Sequence, residues 1–151
     1  MKSRETSGKY IAKLLRMLNL YLNHSLKKFD LSSGVYIFLA ELFDSDGCTQ
    51  DELTQRIYVD KALTTRALTK LEQSGYIRRE KDERDARINR IFLEQKALDI
   101  EDEFWEILLN WSTVTEQGMT TESRTVLISD LKEMSLKASD YLTHNLGRKP
   151  Q

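Results

Sequence analysis

Apolar residues recur at helical spacing over residues 8–29, through Tyr10, Ile11, Leu14, Leu15, Met17, Leu18, Leu20, Tyr21, Leu22, Leu26 and Phe29, and they cover more than one stripe. A helix apolar on several sides needs more than one partner surface, as in a deep core or a subunit interface. Ser32 is placed to cap a second helix carrying Val35, Phe38, Leu39, Leu42 and Phe43, which runs into the turn composition Asp44-Ser45-Asp46-Gly47. Thr49-Gln50-Asp51-Glu52 reads as a capping box opening a short third helix with Leu53 and Ile57 one turn apart. Asp60 can cap a fourth helix that reaches Ser74, with Gly75 as its stop and Tyr76 folding back on Leu71. The period then changes: residues 76–81 and 88–93 alternate as two short strands around the charged tip Asp82-Glu83-Arg84-Asp85-Ala86-Arg87. Helical spacing resumes over residues 94–117, Gly118 interrupts it, and Thr120 can cap a last helix. That helix places Leu127, Leu131, Met134, Ala138 and Tyr141 on one stripe at coiled-coil-like spacing. The pattern predicts a mainly α chain with a small β-wing, in the order α-α-(β)-α-α-β-β-α-α, any strand before the third helix being very short.

A length of 151 residues supports one domain, and 40% hydrophobic with 31% charged residues supplies a core under a heavily ionised surface. The single proline lies at position 150, so nothing in the body interrupts long helices. The longest apolar run has six residues, far below the ~20 that span a bilayer. No signal-peptide core follows the N-terminus, and the lone Cys48 cannot form an internal disulfide. These features lead us to expect a cytoplasmic protein with no membrane partner.

The net charge of −1 hides a pattern: residues 61–93 hold 9 Lys+Arg against 5 Asp+Glu, between acidic segments on either side. A local basic segment binds a polyanion more readily than the total charge implies. Two short helices joined by a tight turn and followed by a basic ribbon form a winged helix-turn-helix. In the fourth helix Leu63, Ala67, Leu68 and Leu71 face inward, and Lys61, Ala62, Thr65, Arg66, Thr69 and Lys70 lie opposite, with no acid among them. Arg suits guanine O6/N7 or phosphate, Thr offers a hydroxyl, and Ala permits close approach, so this helix is the candidate reader of the major groove. The bland alternative is an ordinary amphipathic surface helix. No enzyme is expected: His24 and His144 lack metal-ligand spacing, Cys48 reads as a small semi-buried core residue, and no Gly-rich phosphate loop exists. No catalytic residue, metal or cofactor is assigned.

Residues 59–77 and 82–97 resemble the MarR/SlyA-type bacterial transcriptional regulators. The recognition-helix ending Leu71-Glu72-Gln73-Ser74-Gly75-Tyr76-Ile77 matches the family's Leu-Glu-x-x-Gly-hydrophobic-Ile. Asp82, Asp85, Arg87, Ile91 and Leu93 fall into its wing signature, while Glu94 and Ala97 depart where Thr and Gly are common. The resemblance implies a homodimeric repressor on a palindromic operator of double-stranded DNA, released by a small aromatic effector. It divides the single domain 1–151 into a DNA-binding region, 31–96, and dimerisation helices at 1–30 and 97–146. It also implies that Arg87 enters the minor groove, held in direction by Asp85, with Arg84 and Arg90 nearby as phosphate contacts. The rival reading is a winged-helix protein-interaction module without specific DNA binding.

Overall fold

The computed structural model describes residues 4–147. Its elements are α1 (Ser7–Ser25), a 3-10 turn (Lys27–Phe29), α2 (Tyr36–Asp44), α3 (Gln50–Ile57), α4 (Lys61–Gln73), β1 (Ile77–Lys81), β2 (Asn89–Leu93), α5 (Gln95–Thr115) and α6 (Thr121–Asn145). β1 and β2 form an antiparallel ribbon, with Ile77 opposite Leu93 and Lys81 opposite Asn89. The expected fold class is realised, and the strand anticipated before α3 is reduced to one bridge between Thr49 and Arg90.

Local chemistry sets most of the boundaries. The Thr49 hydroxyl accepts from the Glu52 N–H at 3.1 Å while the Glu52 carboxylate accepts from the Thr49 N–H at 2.8 Å, closing the capping box. Those bonds hold the Glu52 carboxyl below its ordinary pKa, the backbone N–H of Thr49 being the largest cause. The Asp60 carboxylate accepts from the Leu63 N–H at 2.7 Å and starts α4. Gly75, at φ +78°, ends it: the Tyr76 N–H donates to the Leu71 carbonyl and the Gly75 N–H to that of Glu72, the paired bonds of a Schellman motif. Thr120 caps α6 through the Ser123 N–H.

Two sequence expectations are corrected. Ser32 does not cap α2 through its side chain; its carbonyl accepts from the Val35 and Tyr36 N–H groups in a turn, and the helix begins at Tyr36. Burial decides this, because the turn sends Leu31 and Val35 into the core, each 4% exposed. The first helix ends at Ser25 rather than continuing to Phe29. A 3-10 turn and a left-handed Asp30 at φ 56° follow, allowing the buried Leu26 and Leu31 to share the core.

The core gathers Leu22 and Leu26 from the first segment with Phe38, Leu39 and Leu42 of α2, Leu53 of α3, Leu68 and Leu71 of α4, Ile91 of β2 and Phe104 of α5. Tyr76 joins it with its hydroxyl donating to the Phe29 carbonyl at 2.5 Å. Cys48 is a core residue, buried more deeply than the semi-buried position expected, and burial pushes its thiol pKa up. By contrast, no described residue of α6 is buried, and in α1 only Leu22 is. Tyr10, Ile11, Leu14, Leu15 and Leu20 on α1, with Leu131, Met134, Leu136 and Tyr141 on α6, are exposed. Among the described residues no helix is long and apolar enough to cross a membrane.

Candidate nucleic-acid interface

The fourth helix is held against the third by a buried pair of hydroxyls. Thr54 donates to Thr64 at 2.9 Å, and Thr64 lies 3.1 Å from the Asp60 carbonyl. Both threonines are essentially inaccessible. The sequence pattern missed Thr64 as an inward residue and placed Leu63 there, which the structure leaves half-buried. With Thr64, Ala67, Leu68 and Leu71 turned inward, Lys61, Ala62, Thr65, Arg66 and Lys70 are exposed and Thr69 is half-buried. The acid-free face expected from the sequence is therefore presented outward.

At the far end of α4 a clamp ties the helix to the ribbon. The Glu72 carboxylate accepts from Arg79 Nε at 3.1 Å, and Arg79 Nη2 also lies 3.4 Å from the Thr69 hydroxyl. The Arg79 guanidinium holds the Glu72 carboxyl below the usual range. Lys96, in the first turn of α5, donates to the Ser74 carbonyl at 2.6 Å and lies 4.4 Å from the centre of the Tyr76 ring. Neither contact was foreseen, because each joins residues whose pairing depends on the completed fold.

The wing tip is organised by two aspartates. Asp82 Oδ1 accepts from the Arg84 and Asp85 N–H groups at 2.8 and 3.1 Å, and its Oδ2 accepts from Arg90 Nε. Asp85 forks Arg87: Oδ1 accepts from Nε and Oδ2 from Nη2, both at 3.0 Å, and Oδ1 also accepts from the Arg87 N–H. The Arg87 side chain is otherwise 91% exposed. Arg90 is built into the base of the wing, its Nη1 donating to the Gly47 carbonyl at 2.9 Å. Arg84 is exposed at the tip. Gly47 stands at φ +82°, and a Cβ there would come 3.1 Å from Phe92, so this close approach of loop to wing favours glycine.

These partners depress both carboxyls, Arg90 being the largest cause at Asp82 and Arg87 at Asp85. A depressed folded pKa leaves the group ionised as pH falls past the unfolded value, so the wing pairing is present above that value and is lost only in stronger acid. An NMR titration of the two carboxyl carbons should give midpoints below the ordinary ~3.9; midpoints at or above it would show the forked pairing to be absent in solution.

Lys61 and Arg87 line one cleft with Gln50 and Asn89, so the start of α4 and the wing tip border the same space. Among the described residues no group of three or more His, Cys, Asp or Glu side chains could hold a metal ion.

Comparison with known proteins agrees with this architecture. The MarR family model matches residues 31–88. The HTH-type transcriptional regulator SarZ of Staphylococcus epidermidis is 30% identical over 115 residues, 76% of either chain. The crystal structure of a MarR transcriptional regulator from Methanosarcina mazei superposes with a TM-score of 0.83 at 30% identity, covering 87% of this chain and 94% of that one. A MarR-family regulator from Listeria monocytogenes complexed with 26mer DNA has a TM-score of 0.87 at 22% identity, covering 96% and 97%, a likeness of fold. With a regulator 30% identical across three quarters of both chains, and with the winged helix-turn-helix in place, the chain belongs to the MarR family of transcriptional regulators.

Proposed function

We propose that this regulator is a homodimeric repressor that grips a palindromic operator in double-stranded DNA, α4 in the major groove and the wing in the minor groove. The observation that carries the reading is the outward, acid-free face of α4 bordering the same cleft as the forked Arg87. Lys61, Ala62, Thr65, Arg66, Thr69 and Lys70 supply the base and phosphate contacts of the helix. Arg84 and Arg87 supply those of the wing, Asp85 orients Arg87, and Arg90 adds positive charge from the wing base. Residues 31–96 act as the DNA-binding region, and residues 1–30 and 97–146 pair the subunits. The first three residues of the first segment, 1–3, lie outside the described residues. Two-fold symmetry places the half-sites about one helical turn apart.

Repression follows the usual mode of the family, and a cytoplasmic site follows from a DNA target. A groove of ≈ 900 Å³ between the end of α3 and α6, lined by Tyr58, Ile128, Leu131, Leu136 and Leu142, supports release by a small aromatic effector. Its walls join a dimerisation helix to the helix-turn-helix, so a ligand that binds one spacing better shifts the population toward it.

Enrichment of genomic fragments by the purified protein, followed by titration at several salt concentrations, tests the reading. Palindromic fragments whose affinity falls steeply with salt support it; a protein partner bound equally well without DNA overturns it. In the same assay Arg66→Ala should lose about 1–3 kcal/mol on the enriched duplex and relax its sequence preference, whereas Lys70→Ala should weaken all duplexes alike. Unchanged binding of every sequence by Arg66→Ala would remove that residue from the interface.

A further inference from the structure

We propose that Gln50 is a specificity-determining residue, its side-chain amide making the Thr65 hydroxyl a donor to a base edge while itself donating to the DNA backbone. The inference deepens the DNA-binding reading and rests on it. Gln50 is the first residue of α3, and its Nε2 donates to Thr65 Oγ1 on the outward face of α4 at 3.1 Å. A hydroxyl has one proton and two lone pairs, so a lone pair taken by the amide leaves the proton to be given elsewhere.

Helical threonines commonly spend that proton on the carbonyl one turn back. Thr113, Thr115 and Thr125 do so here, to Leu109, Trp111 and Thr121. Among the described residues the Thr65 hydroxyl donates to no such acceptor, although Thr65 is exposed. A hydroxyl that accepts one hydrogen bond is polarised into a better donor.

The amide itself is one-ended. Gln50 Oε1 is buried and accepts no hydrogen bond among the described residues, which leaves Nε2 as the working end. One of its two protons goes to Thr65, and the second is available to a phosphate oxygen. Gln50 lines the cleft shared by Thr49, Asp51, Lys61, Arg87 and Asn89. Lys61 and Arg87 make that cleft attractive to a phosphate, partly offset by Asp51, 3.7 Å from Lys61 Nζ.

The chemistry names the base class. A hydroxyl that spends its polarised proton fits guanine O6/N7, adenine N7 or thymine O4; against cytosine, whose major-groove edge offers only the N4 donor, it has just its remaining lone pair to offer and its proton goes unused. Thr65 should therefore disfavour cytosine at one position of each half-site, and Gln50 should be required for that preference.

The test selects bound duplexes from a randomised pool with the full-length wild type, Gln50→Ala, Gln50→Glu, Thr65→Val and the Gln50→Ala/Thr65→Val double variant. Wild type that enriches no sequence overturns the DNA reading itself, whatever Gln50 does. Given enrichment, Gln50→Ala is expected to admit cytosine at one position and to lose about tenfold in affinity for the wild-type duplex. Gln50→Glu keeps the volume and suits a helix N-terminus, so it should fold even if the alanine variant does not. Its carboxylate accepts the Thr65 proton instead of supplying one, so it should admit cytosine too, an outcome that a purely packing role would not produce. Added to Thr65→Val, Gln50→Ala should change the selected base no further. A retained preference against cytosine in both Gln50 variants, or a second altered position appearing only in the double variant, would overturn the proposal.

Discussion

Arg87→Ala is expected to remove most specific DNA binding and, with it, the dependence on flanking sequence. The ribbon puts Arg87 at its tip with the guanidinium forked by Asp85 and almost wholly solvent-facing. An arginine so presented reads the negative potential of a narrow minor groove, a property of A·T-rich flanks more than of any one base. A loss of about 1–3 kcal/mol per contact, taken once in each half-site, amounts to roughly 30-fold to more than 10⁴-fold. Replacing an A·T flank by G·C should weaken wild type and leave Arg87→Ala unaffected. Asp85→Ala separates two accounts of the aspartate. Removing a negative charge strengthens binding to any polyanion, whereas losing the fork leaves a free, unoriented arginine. We expect weaker specific binding despite the added positive charge, measured on specific and non-specific duplexes at one salt concentration. Tighter binding to both would make Asp85 a surface acid and nothing more.

The second large effect concerns the terminal helices. A 25-residue α6 with no buried described residue, and an α1 with six large apolar residues exposed from Tyr10 to Leu20, expose more apolar surface than one subunit covers. An uncovered helix gains little from intrinsic propensity, since most helical stability comes from packing one face. Light scattering should therefore give about twice the 17.6 kDa chain mass. Leu131→Asp combined with Met134→Asp should return the mass to that of one chain and melt much of α6, visible as lost helical ellipticity. Without the linked second half-site, affinity for a palindrome should drop by about 10²–10⁴-fold through lost effective concentration. Wild type that stays at the single-chain mass and still binds the palindrome tightly would refute this arrangement.

What could be read from the sequence was what local rules decide. The Thr49/Glu52 box, the Asp60 cap and the Gly75 stop each need only a few neighbouring residues, and each forms as expected. The alternation of the ribbon and the Asp85-x-Arg87 spacing are equally local, and the fork between them exists. Ser32 misled because a good capping residue lost to the burial of Leu31 and Val35 on either side of it. Arg90 looked like another cation on a basic ribbon; its partners are Asp82 across the tip and Gly47, which lies 43 residues away and meets it only once the loop before α3 docks on the wing. Gln50 belonged to a helix-start motif whose visible members were Thr49 and Glu52. Its partner Thr65 sits on another helix, at a distance no periodicity encodes.

The contact of Lys96 with Ser74 and the Tyr76 ring gives α5 a mechanical character. It starts within two residues of β2, is tied there to the end of α4, and continues without glycine or proline to Thr115. At 1.5 Å per residue its 21 residues make a rod about 30 Å long. A pivot of roughly 5° at one end displaces the other by about 3 Å over that length. Leverage of this kind would turn a small rocking of the distant end into an ångström-scale shift of α4 and the wing, with no bending of the rod itself.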